Sequence, residues 1–170
     1  KEKALNYIDG MFSFVFFDLR KKKIIFARDR FGIKPLYYKS EKNNFIFSSE
    51  IKPILKFEND KTINQKAVID FFLKGSMDHD EKTFFKSVKS LCPGQYGVIK
   101  KNELKINKYW SLINKKIKIQ SEDDIAKNLK DLFDKSVNKH ILSDRKIGLF
   151  LSGGADSTAL AFMLAKKLKE

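Results

Sequence analysis

Between Ile147 and Thr158 an apolar run, Ile147-Gly148-Leu149-Phe150-Leu151, is cut by Ser152-Gly153-Gly154, and Asp156, Ser157 and Thr158 then lead into an apolar-periodic segment. That order specifies a strand, a glycine loop and a helix. Two adjacent glycines let the backbone turn tightly with its N–H groups inward, and the start of a helix adds the positive end of its dipole. Such a loop suits a phosphate or pyrophosphate. The same short pattern also fits an ordinary glycine-rich turn between strand and helix, so the rest of the chain has to decide between the two.

The chain has 170 residues, enough for one ordinary domain or for one and a piece of another. Hydrophobic residues at 42% and aromatics at 13%, with 16 Phe, supply a real core and argue against disorder. Cys92 is the single cysteine, which rules out an intrachain disulfide and points to a reducing, cytoplasmic setting. The longest apolar runs, such as Met11 to Phe17, are too short to span a bilayer, and Lys1 to Gly10 lacks the apolar core of a signal peptide. No membrane partner is expected. The chain opens on Lys1 and closes on Glu170 at the end of a predicted helix, so both ends read as cut. A net charge of +14 invites a nucleic-acid role. Against that, arginine occurs only at 20, 28, 30 and 145, the lysines are spread along the whole chain, and no run of aromatics and arginines forms a stacking platform. No nucleic-acid partner is expected.

Residues 11–17 and 23–28 are strand-like and flank a charged turn at 18–22. Leu36 to Lys39 and Phe45 to Ser48 flank a second turn, 40–44, whose two asparagines tolerate left-handed backbone. Between the pairs lies RDRFGIKP, broken by Gly32 and Pro35. These fifty residues predict an antiparallel sheet. A short helix is predicted at 50–56, then one capped by Asn64 that buries Ala67, Val68, Phe71 and Phe72 and ends at Gly75. After a polar loop at 76–82, Phe84, Phe85, Val88 and Leu91 lead to the break at Pro93 and Gly94, and Gln95 to Lys100 with Leu104 to Trp110 form another hairpin. The Lys- and Asn-rich passage after Trp110 marks a domain boundary. Beyond it, Ser121 and Asp124 resemble a capping box, and Ile125, Leu129, Leu132, Phe133, Val137 and Ile141 recur at helical spacing to about Leu142. A buried strand at 147–151, the glycine loop and a helix packed through Leu160, Met163, Leu164 and Leu168 follow, the opening of a parallel α/β domain.

Two separated stretches resemble one family. DGMFSFVFFD at 9–18, ARDRFGIKPLYY at 27–38 and FSSEIKPIL at 47–55 are similar to the glutaminase domain of the glutamine-hydrolysing asparagine synthetases. LCPGQY and the YW at 109–110 resemble the close of that domain, and FLSGGADS resembles the pyrophosphate loop that opens the synthetase domain. The resemblance implies a partial α+β N-terminal nucleophile glutaminase over 1–115, lacking its amino-terminal part, and over 116–170 the start of an α/β ATP-pyrophosphatase domain with a parallel sheet. It implies that one site hydrolyses glutamine to glutamate and ammonia. A second would use ATP and Mg²⁺ to adenylate aspartate, and ammonia would displace AMP to give asparagine. The implied substrates are glutamine, aspartate and ATP, with a homodimer left open. The same two domains could serve another carboxylate acceptor, a sugar acid or a β-lactam precursor, or a non-catalytic descendant. A transfer-RNA-modifying enzyme with the same loop would not carry ARDRFGIKPLYY in front.

Carried over by position, Ser152, Gly153, Gly154 and Ser157 are expected at the pyrophosphate portion of ATP, and Leu149 and Leu151 beside the adenine. Asp156 is expected to hold Mg²⁺ through its carboxylate, the alternative being a helix N-terminal residue that favours the dipole. Ala155 stands where the family usually has a larger aliphatic residue. The family's nucleophile is an amino-terminal Cys, which this chain does not carry, so no catalytic residue is assigned and the 170 residues are expected to be inactive on their own. Cys92 reads as a partly buried turn residue. Arg28, Asp29 and Arg30 read as an ion-paired, hydrogen-bonded turn fixing the Gly32 to Pro35 bend, and Asp9 and Gly10 as turn residues. Asp78, His79, Asp80 and Glu81 read as a solvated loop rather than a metal site, and His140 as a surface or domain-interface residue.

Overall fold

Alternation of apolar and polar residues along Phe- and Ile-rich runs favours strands that bury one face, and short polar turns make consecutive runs pair antiparallel. In the computed structural model, which describes residues 2–57, 60–75, 80–112 and 121–167, this pairing builds the amino-terminal part of the chain. Two compact units are distinguished, Lys1–Ile113 and Asn114–Glu170.

The first unit opens with a 3-10 helix, Glu2–Tyr7, and contains β1 (Ser13–Asp18), β2 (Lys23–Arg28), β3 (Tyr37–Glu41), β4 (Asn44–Ser48), α1 (Ile51–Lys56), α2 (Gln65–Lys74), β5 (Lys89–Ser90), β6 (Gln95–Lys100) and β7 (Glu103–Lys108). One sheet has the order β1-β2-β6-β7 and the other β4-β3-β5, with every pairing antiparallel. Both sheets feed one core. Phe26 of β2 and Ile99 of β6 meet Tyr38 of β3, with Leu36 and Leu91 completing the cluster. Phe26 is fully buried, and its ring centroid lies 5.4 Å from that of Tyr38 and 4.8 Å from that of Phe47. Burying such a ring contributes about 2–3 kcal/mol. Its place depends on Gly97, its cross-strand partner, because a Cβ at that position would fall 2.1 Å from the Phe26 ring. Only glycine admits the ring there.

The predicted hairpins form, with shifted edges. β1 begins at Ser13 rather than at 11, and β7 ends at Lys108 rather than at Trp110. In the β3–β4 turn the left-handed residue is Lys42, φ 47°, and not one of the asparagines, because the register Glu41↔Asn44 puts Lys42 at the first turn position. The β6–β7 loop is the two-residue Lys101-Asn102, with φ of 51° and 65°, the primed geometry that matches strand twist. Helix α2 is capped as its sequence specifies: Asn64 accepts the Ala67 N–H at 3.4 Å, and Gly75 closes it at φ 64°. Its burial differs from expectation. Ala67 is buried, but Phe72 is 80% exposed and Phe71 also faces outward, ring to ring with Phe84 at a centroid distance of 5.5 Å. Val68, Ile69, Phe71, Phe72 and Leu73 spread apolar character around the helix, so one packed stripe cannot cover them all. Residues 76–79 of the polar loop lie outside the described residues.

The second unit contains α3 (Glu122–His140) and α4 (Ala155–Lys167). The Ser121 hydroxyl accepts the Asp124 N–H at 3.2 Å and donates to its carboxylate at 2.7 Å, so the cap closes on itself. Val137 and Met163 are buried, and Lys167 reaches Asp134 at 2.9 Å. Most of the apolar stripe of α3 is not covered, and Leu129 and Leu132 are exposed. The buried strand expected at 147–151 is corrected: these residues belong to no ladder among the described residues, and Phe150 is 99% exposed. A strand takes its regularity and cover from hydrogen-bonded neighbours, and the described part of the second unit holds no strand for these residues to pair with. Residue 168 and the boundary passage at 113–120, in which the expected division after 115 falls, lie outside the described residues.

Candidate functional site

The glycine loop resolves into a short, hydroxyl-lined turn at the start of α4. Gly153 adopts φ 81° and Gly154 follows it, so the chain reverses over two residues and enters the helix at Ala155. The first helical bond runs from the Thr158 N–H to the Gly154 carbonyl at 3.0 Å. Ser152 Oγ and Ser157 Oγ lie 3.0 Å apart, and the Ser157 hydroxyl also reaches the Gly154 carbonyl at 3.1 Å. Residues five apart are thus brought together by the turn. Two hydroxyls beside a helix N-terminus provide donors and a favourable dipole for an oxyanion, so these residues fit a phosphate group.

Asp156 lies exposed in the first turn of α4. It borders a cleft of about 630 Å³ shared with α3, whose walls include Lys130, Phe133 and Phe162. A single carboxylate suits Mg²⁺ when phosphate oxygens supply further ligands. No group of three or more His, Cys, Asp or Glu is placed to hold a metal among the described residues. Lys130 has no local sequence signal, since only the packing of α3 and α4 brings it to the same cleft as Asp156. The two leucines expected beside the adenine part company. Leu149, itself 37% exposed, lines an apolar cavity of about 320 Å³ with Val137, Ile147, Leu160 and Leu164, whereas Leu151 is 63% exposed.

The Arg28-Asp29-Arg30 turn is the most densely bonded feature of the first unit. Asp29 is 1% exposed, and its carboxylate accepts N–H groups of Phe31 at 3.1 Å, Ile33 at 3.0 Å, Lys34 at 3.0 Å and Phe12 at 3.3 Å. Burial pushes its pKa up, but these four donors outweigh that and hold it below the usual value. Arg28 donates to the carbonyls of Gly32 at 2.6 Å, Leu91 at 2.8 Å and Lys34 at 3.0 Å. The expected ion-paired turn is therefore corrected in part. Among the described residues Asp29 bonds neutral backbone, Arg28 bonds backbone carbonyls and the Ser90 hydroxyl at 3.3 Å, and the ion pair is Arg30 with Asp9 at 3.1 Å. Short-range sequence shows a bend at Gly32, φ 67°, but not partners as distant as Phe12, Leu91 or Tyr109, whose hydroxyl donates to the Arg28 carbonyl at 2.9 Å.

The remaining candidates take structural places. Cys92 is half-buried and its N–H donates to Gln95 Oε1 at 3.3 Å. Burial first, then the nearby Glu81 and Asp80, push its thiol pKa up, the wrong direction for a nucleophile. Asp80 pairs with Lys82, and Glu81 with Lys89 at 2.6 Å, while Asp78 and His79 lie outside the described residues. His140 is exposed on α3, with Nδ1 2.8 Å from the Ser136 carbonyl.

Residues 2–110 match the family model described as a glutamine amidotransferase domain, and residues 128–170 match the one described as asparagine synthase. The chain is 38% identical to asparagine synthetase (glutamine-hydrolysing) 2 of Bacillus subtilis (strain 168), an alignment covering 98% of this chain and 24% of that relative. It is 35% identical to a putative asparagine synthetase (glutamine-hydrolysing) 2 of Methanocaldococcus jannaschii, over 92% of this chain and 31% of the relative. It is 32% identical to the amidase chry2 of Gibberella zeae, over 98% and 25% respectively. The chain thus spans between 24% and 31% of the length of these curated relatives.

Proposed function

The chain belongs to the glutamine amidotransferase domain family, and from that premise we propose that it is part of a glutamine-dependent asparagine synthetase. The observation that carries this reading is the order of two matches in one chain, an amidotransferase domain at 2–110 and an asparagine synthase segment at 128–170 that runs through the hydroxyl-lined loop. In the proposed reaction, glutamine and water give glutamate and ammonia. The aspartate side chain attacks the α-phosphorus of ATP and releases pyrophosphate, and ammonia then displaces AMP to leave asparagine.

Within that scheme the chain's own residues act on the nucleotide. The hydroxyls of Ser152 and Ser157, the backbone at Gly153 and Gly154 and the N-terminus of α4 hold the pyrophosphate portion of ATP in a fixed place. Asp156 holds Mg²⁺ through its carboxylate, and the metal supplies charge neutralisation for the leaving pyrophosphate. Leu149, on an apolar wall, borders the adenine, with Leu151 beside it. The loop then opens an ATP-pyrophosphatase domain. The proposed setting is cytoplasmic; the structure itself adds only that no described helix is long and apolar enough to cross a membrane.

The test uses the intact protein. Asp156→Ala is expected to lower aspartate-dependent exchange of pyrophosphate into ATP by about 100-fold or more while glutamine hydrolysis is retained. Exchange at the parental rate would remove Asp156 from the metal site. Exchange by the parental protein that depends on a different carboxylic acid, and not on aspartate, would replace the acceptor.

A further inference from the structure

We draw no further inference here: the strongest candidate, the apolar edge of the four-stranded sheet along β1, where Val15 and Phe17 stand exposed, carries nothing because nothing in the structure shows what covers it.

Discussion

Asp29 shows how a buried charge is kept by backbone donors, with no ion pair to its carboxylate among the described residues. Four backbone N–H donors surround the carboxylate, and Arg28, next to it in sequence, spends its guanidinium on carbonyls. Asp29→Asn keeps the shape but turns an NH₂ toward N–H groups, leaving donors unpaired. It is expected to cost about 2–4 kcal/mol in urea unfolding. The pH dependence follows from the lowered pKa of the folded state. Stability from Asp29 is fully present above the ordinary carboxylate value and is lost as pH falls through the lower folded value. Between pH 5 and pH 2, therefore, the parental protein should lose stability more steeply than Asp29→Asn. Parallel profiles would show that the carboxylate's charge is not what the cradle holds. At this scale the sequence reveals a bend at Gly32 and its polar residues. It hides their partners, because Phe12, Leu91 and Tyr109 are assembled only by the sheets.

Among elements, the antiparallel hairpins were the legible ones, since a period of two and a short polar loop are local signals. β2 occupies the predicted 23–28, and β6 with β7 closes around Lys101-Asn102. The least legible point was which turn residue adopts positive φ: Lys22, Lys42 and Lys101 do so, although lysine has no special tolerance for that region. Lys101→Asn is accordingly expected to stabilise the protein by about 0.5–1 kcal/mol, seen as a higher urea midpoint with an unchanged slope. No gain would mean that the turn relaxes freely. The run at 147–151 marks the other limit. Its apolar sequence signals burial, but a strand also needs neighbours, and neighbours are not encoded in the five residues themselves. By contrast, the loop after it could be read as a turn into a helix because glycine and hydroxyl residues act locally.

For the molecule as a whole, the order of motifs carried more information than any one of them. An isolated SGGADS fits many turns, whereas ARDRFGIKPLYY ahead of it restricts the family. The two units also differ in the quality of their interiors. The first holds Phe26, Leu36, Tyr38, Leu91 and Ile99 in one cluster, while the described part of the second buries Val137 and Met163. In native-state hydrogen exchange, amides of β2 and β6 should be protected at least about tenfold more than those of α3 and α4. Equal protection would mean that the α3–α4 pair is held as firmly as the sheets. The Asp29 cradle has a kinetic corollary. Its carboxylate and carbonyl together bond residues 12, 31–34 and 94, so it cannot be completed until stretches more than sixty positions apart have met. The carboxylate's own donors lie within 17 positions, but until Gly94 reaches the Asp29 carbonyl the turn is incomplete, and it should close late, after β2 has found β6. Loosening it should then quicken unfolding far more than it slows folding, and the two arms of a stopped-flow chevron for Asp29→Asn would separate those rates.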